Sequence, residues 1–339
     1  MQVYFARPLF TPGERDYNSS IERMISDLGI ERPKSGPERK NDARSPARRI
    51  FDGCFGGIAP SNAVLAVLSG TEVDDGTAAE IGVFYAMMEK DPSKKGIIGL
   101  LDDWRTNVDS EHIQGKGLND FLLGCIRSRG LIVHTPEEAM KQLKVWKAQL
   151  EIASMGEQGG GAARPGETST ASTPSGCESA KPKVYFAAPQ FTPYARRFVA
   201  AHAQMLRDHG LDVYVPRERA RVESPLLTPE AVFARDYEEL KSSNALVALL
   251  DGTQPDDGVA LELGLFHGLL REDLSKKGIL GFVTDSRGLR RKEHGYGCNH
   301  FPVGVVLECG TVTDDFGAIL SQLKSWANDL STEGWSSHC

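Results

Sequence analysis

The feature that most constrains the fold of this chain is an internal duplication. Residues 61–82, SNAVLAVLSGTEVDDGTAAEIG, return at 243–264 as SNALVALLDGTQPDDGVALELG, with 13 of 22 positions identical. A shorter pair, YFARPLFTP at 4–12 and YFAAPQFTP at 185–193, has nearly the same offset, 181 residues against 182. This period is far too long for a solenoid repeat. The chain is therefore predicted to contain two copies of one domain.

Composition marks the boundary between the two copies. Residues 151–181 are rich in Gly, Ser, Thr, Ala and Pro and contain hardly any large apolar side chain, which is typical of a flexible linker. We predict a first domain at 1–150, a linker at 151–181 and a second domain at 182–332. In a chain of 339 residues each copy is long enough to bury its own core.

Within each copy, short apolar runs alternate with longer amphipathic ones, a pattern typical of a parallel sheet covered by helices. In the second copy we predict strands at 184–187, 213–215, 245–250, 278–283 and 311–313, and helices at 196–209, 230–241, 258–271 and 315–330. In the first copy we predict strands near 2–6, 63–68, 96–101 and 131–134, while the second strand is hard to place among residues 32–45. The predicted fold class is α/β, with two tandem flavodoxin-like doubly wound parallel sheets. Ligands bind such sheets beyond the carboxyl ends of the strands.

Charge and motif content exclude several kinds of partner. A net charge of −7 disfavours binding to a nucleic-acid backbone, which needs a basic face. No run approaches the roughly 18 apolar residues of a membrane span, and Met1 is followed directly by a predicted strand, so we expect a soluble, cytoplasmic protein. The six cysteines form no CxxC pair, and we expect reduced thiols rather than a metal site or disulfides. Neither a phosphate-binding loop nor a dinucleotide fingerprint is present, so no cofactor is predicted.

A glutamate embedded in an apolar helix is the first candidate for chemistry. Glu262 follows Asp256-Asp257-Gly258 and is surrounded by Val, Ala, Leu and Phe, and Glu80 has the same setting after Asp74. The aspartates are also expected to cap the helix, and a glutamate on a solvated helix face would need no further explanation. Because apolar residues lie on every side of the glutamate, we favour a functional carboxylate.

Each copy has candidate aromatic residues at its first strand and in the loop after it. Tyr4 and Tyr185 lie on that strand, beside the strand that leads to the glutamate, where a phenol could orient a carboxylate or simply fill the core. Phe10 and Phe191 follow in a loop over the same crevice, where each would stack on a base or pack.

The two copies differ at one telling position. The second copy has Asp236 in the helix before its third strand, where the first copy has Cys54. The shared SKKG segments, at 93–96 and 275–278, are predicted to be solvated turns, with phosphate binding as the alternative. The resulting site consists of carboxylates and a tyrosine without a cofactor, which suits attack on an acetal-like carbon as in retaining glycoside chemistry.

These residues together resemble the nucleoside 2-deoxyribosyltransferase family, including its nucleotide N-glycosidase relatives. The matching elements are Tyr-Phe-Ala-x-Pro-x-Phe, the aspartate before the third strand, Asp-x-Gly-x-Ala-x-Glu-x-Gly and the Asp-x-Arg after the fourth strand. The resemblance implies that Glu262 and Glu80 are nucleophiles that attack C1′ of a nucleoside and that Tyr185 and Tyr4 position them. It further implies that the base is held by aspartates, one of which protonates the departing nitrogen. The remaining implied site residues belong to the same blocks: Asp256, Asp236, Asp74, Gly258, Gly76, Phe191 and Phe10.

The same resemblance predicts how the two copies cooperate. The family often borrows an asparagine from a neighbouring subunit, but the aligned positions here are Gly304 and Gly124, so Asn299 and Asn119 are the candidate substitutes. Family members pair through self-complementary interfaces, which predicts an internal pseudo-dimer of the two copies and leaves a higher oligomer open.

The predicted function is exchange of the base of 2-deoxyribonucleosides, with small-molecule nucleosides or nucleotides and free bases as partners. Two alternatives remain open at this point. One is a hydrolase that cleaves the N-glycosidic bond of nucleoside 5′-monophosphates. The other is a non-catalytic nucleotide-binding module.

Overall fold

The computed structural model describes residues 1–33, 44–107, 117–156, 181–220, 227–286 and 298–332. Residues 34–43, where the second strand of the first copy is expected, lie outside the described residues. So do residues 157–180 of the predicted linker. Residues 151–156 of that linker continue the helix that precedes it.

Each half contains an all-parallel sheet, as predicted. The first sheet has the order β1-β2-β3-β4, with strands Val3–Ala6, Ala63–Val67, Gly96–Leu100 and Gly130–Val133. The second has the order β6-β5-β7-β8-β9, with strands Lys183–Ala187, Asp212–Tyr214, Ala245–Leu249, Gly278–Phe282 and Gly310–Thr313 numbered along the chain. The order of the second sheet is doubly wound, because β6 lies on one side of β5 and the later strands lie on the other. It confirms the predicted fold class. In the first half, Glu31 forms an isolated parallel bridge to Gln2 at the edge that β6 occupies in the second half.

Helices cover both faces of each sheet. In the first half they are α1 (Pro12–Asp27), α2 (Pro46–Ile58), α3 (Asp75–Met88), α4 (Asp120–Arg129) and α5 (Pro136–Gly156). In the second half they are α6 (Pro193–Asp208), α7 (Pro216–Ala220), α8 (Pro229–Ser242), α9 (Asp257–Leu270), α10 (His300–Cys309) and α11 (Phe316–Thr332). Helices α1, α6 and α8 each begin with an N-cap threonine followed by proline, which is a favourable helix start.

Helices α4 and α10 were not predicted from the sequence. Both contain a run of buried residues, such as 121–126 in α4 and 301–306 in α10. A helix that is apolar around most of its circumference lacks the period of 3.6 residues that identifies a surface helix.

The two halves pack against each other through α3 and α9. Apolar residues of both helices are fully buried in one hydrophobic cluster shared by the halves. The backbones approach so closely that a Cβ on Gly264 would overlap the carbonyl oxygen of Ala79, and a Cβ on Gly82 would overlap that of Leu261. Glycine is therefore required at both crossing points. The glutamates predicted as nucleophiles lie on these two central helices.

Two further helix pairs join the halves around this crossing. Helix α10 packs on α2 and α4 packs on α8, with Gly304 and Gly124 at the points of closest approach. A side chain at either glycine would overlap backbone of the facing helix, at Ala47 or Pro229. The absence of an asparagine at these two positions thus has a steric cause in this chain.

The first lysine of each SKKG segment is buried, which corrects the prediction of a solvated turn at that residue. Lys94 Nζ donates to the carbonyl oxygens of Ala59 and Ser61 at 2.8 and 2.9 Å. Lys276 Nζ donates to those of Lys241 and Ser243 at 2.6 and 2.8 Å. Each lysine is buried and fastens the end of a preceding helix, so it is not a phosphate ligand. Among the described residues, no helix is long and apolar enough to cross a membrane.

Candidate active site

In each half a tyrosine from the first strand contacts the buried glutamate of the central helix. Tyr185 lies on β5 and its hydroxyl donates to Glu262 Oε1 at 2.5 Å. Tyr4 lies on β1 and donates to Glu80 Oε1 in the same way. Tyr185 is fully buried and Glu262 is only 6% exposed. The structure thus brings together the four residues that the sequence pairs, each tyrosine from within a strand and each glutamate from the central helix.

Burial dominates the electrostatics of these glutamates. It raises the pKa of Glu262 well above the ordinary carboxyl value, and the hydrogen bond from Tyr185 opposes that rise. In the first half, burial raises the pKa of Glu80 to about 8, again opposed by the tyrosine. A phenol that donates to the carboxylate stabilises its charged form, which is the nucleophilic one.

The aspartates at the start of the central helices are half-buried N-caps. Asp256 is the N-cap of α9 and accepts from the Val259 amide at 3.2 Å, and Asp74 caps α3 by accepting from Thr77 at 2.8 Å. Burial raises the pKa of Asp256 to about 6. A carboxyl with this pKa can hold a proton close to neutral pH.

The next residue, Asp257, was not singled out in the sequence. It is buried, and burial followed by the neighbouring charge of Asp256 raises its pKa to about 7. Asp75 has the same pKa and the same two causes in the first half. The repeat of an Asp-Asp pair in both copies could have indicated a second buried aspartate, because helix capping needs only one of the two.

Asp236 is buried on α8 and accepts hydrogen bonds from two neighbours. Tyr214 Oη donates to Asp236 Oδ1 at 2.5 Å. Arg235 donates through Nε to Oδ1 at 2.7 Å and through Nη2 to Oδ2 at 3.0 Å. Burial raises the pKa of Asp236, and Arg235 and Tyr214 both oppose it. Sequence reasoning missed both partners, although Tyr214 ends the strand next to β5, where a site residue is expected.

Each site receives an asparagine from the other half. Asn299 Nδ2 donates to Asp74 Oδ1 at 3.2 Å. Asn119 Nδ2 lies so close to Gly258 that a Cβ there would be 2.5 Å away, and it hydrogen-bonds Asp257. The pseudo-equivalent Gly76 has the same relation to Asn299, with its hypothetical Cβ 2.7 Å from that amide nitrogen. Glycine thus leaves room for an amide that arrives from the other half.

A cavity of about 450 Å³ lies in front of the second-half glutamate. This volume is in the range of small-molecule sites. The cavity is lined by six of the residues predicted from the sequence: Glu262, Asp256, Asp236, Gly258, Phe191 and Asn119. Phe191 is 63% exposed at its mouth. Tyr185 lies behind Glu262 and does not line the cavity.

The first-half site differs in charge from the second. Burial and the charge of Glu80 raise the pKa of the Cys54 thiol, which replaces Asp236 and hydrogen-bonds both Tyr4 and Glu80. Arg7 occupies the position of Ala188, and its Nη2 pairs with Glu22 at 2.5 Å. Phe10 is exposed, like Phe191. Among the described residues, no group of three or more His, Cys, Asp or Glu could hold a metal ion.

Both halves of the chain are similar to known proteins. A family model described as nucleoside 2-deoxyribosyltransferase matches residues 3–138 and again residues 184–322. One similar solved structure is a conserved protein from Enterococcus faecalis V583, with 27% identity over 43% of this chain and 99% of that one, and a TM-score of 0.37. Another is a 2-desoxiribosyltransferase from Leishmania mexicana, with 20% identity over 42% of this chain and 97% of that one, and a TM-score of 0.32. A search of curated proteins finds no match.

The two regions matched by the family model cover more than half of the chain and coincide with its two sheets. The chain is therefore a tandem duplicated member of the nucleoside 2-deoxyribosyltransferase family.

Proposed function

We propose that this protein exchanges the base of 2-deoxyribonucleosides through a covalent intermediate on Glu262. The observation that carries the proposal is the buried Tyr185–Glu262 pair at the floor of a cavity of nucleoside size. A buried carboxylate costs free energy, and a simple binding site for a neutral nucleoside has no need for one.

In the first step a carboxylate oxygen of Glu262 attacks C1′ and the C1′–N bond breaks. The electron pair of that bond remains on the base nitrogen, which takes a proton as the base departs. A nitrogen of a second base then attacks C1′ from the face that the first base left, and its proton passes to the carboxylate that protonated the first base. The C1′–O bond breaks, the carboxylate is restored, and two inversions give overall retention.

We assign the proton of the first step to Asp256. Its pKa of about 6 allows it to hold a proton near neutral pH and to release it to a departing nitrogen. Asp236 instead forms an ion pair with Arg235, and we assign it to holding the base. Asn119, delivered by the first half, would position Asp257 and the sugar beside it.

The first-half site has Tyr4, Glu80, Asp74 and the amide of Asn299, and we propose that it performs the same chemistry. Cys54 has no charge to offer a base at the place of Asp236. The base preference of the first-half site should therefore differ from that of the second-half site.

Chromatography of purified protein incubated with deoxyinosine and adenine tests the proposal. Deoxyadenosine should appear only when adenine is present. Glu262→Gln should remove the second-half contribution and Glu80→Gln that of the first, with the double variant inactive. The single variants are matched, because each replaces a carboxylate by an amide of the same shape.

Three results would contradict the proposal. Retained turnover in the double variant would remove the glutamates as nucleophiles. Free base released from deoxynucleoside 5′-monophosphates without any acceptor, and no exchange, would establish the hydrolase. Silence in both assays would favour the binding module.

A further inference from the structure

The lining of the second-half cavity includes two kinds of side chain. Glu262, Asp256 and Asn119 supply carboxylates and an amide, which suit sugar hydroxyls and attack at C1′. Phe191 and the α7 residue Arg217, which lie close to each other, supply an exposed ring and a guanidinium. A flat heteroaromatic base suits this pair, since an exposed ring offers a stacking surface. We call the pair the base end of the cavity, and this assignment rests on the proposed function.

Arg217 is held in place at the base end. Its Nη1 donates to the carbonyl oxygen of Gln190 at 2.6 Å, and its guanidinium carbon lies 5.7 Å from the centre of the Phe191 ring. A guanidinium has five N–H donors. Among the described residues the Gln190 carbonyl is its only hydrogen-bond acceptor, so further donors remain for a ligand in the cavity that Arg217 lines.

The other arginine of the cavity is committed to the protein. Arg235 forms two hydrogen bonds to Asp236, which also accepts from Tyr214. Within the described part of the chain, Arg217 forms no ion pair with a carboxylate. Of the two arginines that line the cavity, Arg217 is therefore the one that can donate to a neutral base rich in hydrogen-bond acceptors.

We propose that Arg217 selects 6-oxopurines over adenine in the second-half site. Hypoxanthine and guanine present two acceptors, O6 and N7, side by side, and a guanidinium fork donates to both. Adenine presents an amino donor in place of O6, which faces a group that can only donate. The N1–H of a 6-oxopurine can in turn donate to a carboxylate of the cavity.

Calorimetric titration of the intact chain with hypoxanthine, and separately with adenine, tests the proposal. In Arg217→Gln we expect hypoxanthine affinity to fall about tenfold or more, while adenine affinity changes little. Arg217→Lys keeps the charge but loses the planar fork and should restore only part of the affinity. The first-half site is unaltered in all these variants, so changes in the isotherm report on the second half.

Arg196→Gln is the matched control. Arg196 Nη1 donates to the carbonyl oxygens of Gln190 and Phe191 at 3.1 and 3.0 Å, yet Arg196 does not line the cavity. It therefore holds the same loop without facing the base. Unchanged hypoxanthine affinity in this variant is the expected result.

Several results would overturn the assignment. An equal loss for both bases, or the same loss in Arg196→Gln, would mean that Arg217 only holds the loop. Loss of inorganic phosphate binding in Arg217→Gln with hypoxanthine affinity unchanged would make it a phosphate ligand. A protein that binds neither base would overturn this proposal and the proposed function together. Arg217-dependent hypoxanthine binding without base exchange would overturn the proposed function alone.

Discussion

At the residue scale, the site is a set of carboxylates whose pKa values burial has separated from the ordinary range. Glu80 is raised to about 8, Asp257 to about 7 and Asp256 to about 6. Groups with different pKa values can divide the tasks of nucleophile and proton donor. In the first half the pKa of the proposed nucleophile Glu80 lies above that of Asp75, which is about 7, and the hydrogen bond from Tyr4 lowers it and so increases the charged fraction.

Tyr185→Phe should shift the rising limb of the pH–rate profile of the second-half site to higher pH. The phenol lowers the pKa of Glu262, so its loss raises that pKa further and leaves less carboxylate at neutral pH. A hydrogen bond to a charged group contributes about 1.5 kcal/mol or more, which corresponds to about one pH unit. The rising limb of kcat/KM against pH, measured in a Glu80→Gln background, should shift upward by about that amount.

Tyr214→Phe serves as the control, because Tyr214 donates to Asp236 and not to Glu262. Its rising limb should stay in place even if its rate falls. A uniform loss of rate at all pH values in Tyr185→Phe would mean that the tyrosine acts through packing alone.

At the element scale, α3 and α9 place each site between the halves, and α9 also buries a histidine against α2. His267 on α9 is fully buried, and its ring lies 5.1 Å from that of Phe51 on α2. Neither ring nitrogen has a hydrogen-bond partner among the described residues. Burial, with smaller contributions from Arg271 and Arg48, lowers its pKa to about 3.

This histidine should make the fold less stable in mild acid. The unfolded chain takes up a proton as the pH falls below the ordinary histidine value of about 6.5, whereas the folded protein stays neutral down to about 3. Stability is therefore lost as the pH falls through that window, by about 1 kcal/mol between pH 7 and pH 5.5. His267→Phe should abolish this contribution, which urea denaturation at the two pH values measures as a difference between the proteins.

Tyr85→Phe is the comparison variant, since Tyr85 occupies the equivalent position on α3 and does not titrate in this range. Its effect on stability should be the same at both pH values. An equal pH dependence for His267→Phe and the unmodified chain would show that the imidazole titrates in the folded protein as it does in the unfolded chain.

Most elements were predictable because their causes are local. Strands such as 245–249 are buried on both faces and appear as short apolar runs, and the N-cap threonines with proline mark helix starts. The duplication added a comparison within the chain, and the residues that both copies keep were enough to pair Tyr185 with Glu262. The predictions that failed concern residues whose burial depends on contacts between distant segments. Helices α4 and α10 are buried by the other half. Lys94 is buried by carbonyls that lie 33 and 35 residues away in sequence.

At the scale of the whole molecule, the duplication joins two incomplete sites. Asn119 is the N-cap of α4 in the first half, and Asn299 is the N-cap of α10 in the second. Each caps its own helix and reaches the aspartates of the opposite half. The sequence made these residues candidates, but only the packing of α4 on α8 and of α10 on α2 shows which site each one serves. Arg217 lacked a comparable signal, because its contact with Phe191 depends on how α7 approaches the loop before α6.

The exchange of asparagines predicts a crossed pattern of activity. Asn119→Ala should lower base exchange about tenfold when only the second half is active, in a Glu80→Gln background, since a lost hydrogen bond of about 1.4 kcal/mol has that effect. In a Glu262→Gln background, where only the first half is active, the same change should have little effect and Asn299→Ala should cause the loss. The opposite assignment, with each asparagine serving its own half, predicts the reverse pattern in the same four proteins. Because each asparagine also caps a helix, the thermal unfolding of all four proteins should be compared. If the loss of rate follows the loss of stability, whichever glutamate has been replaced, the asparagines do not belong to the sites.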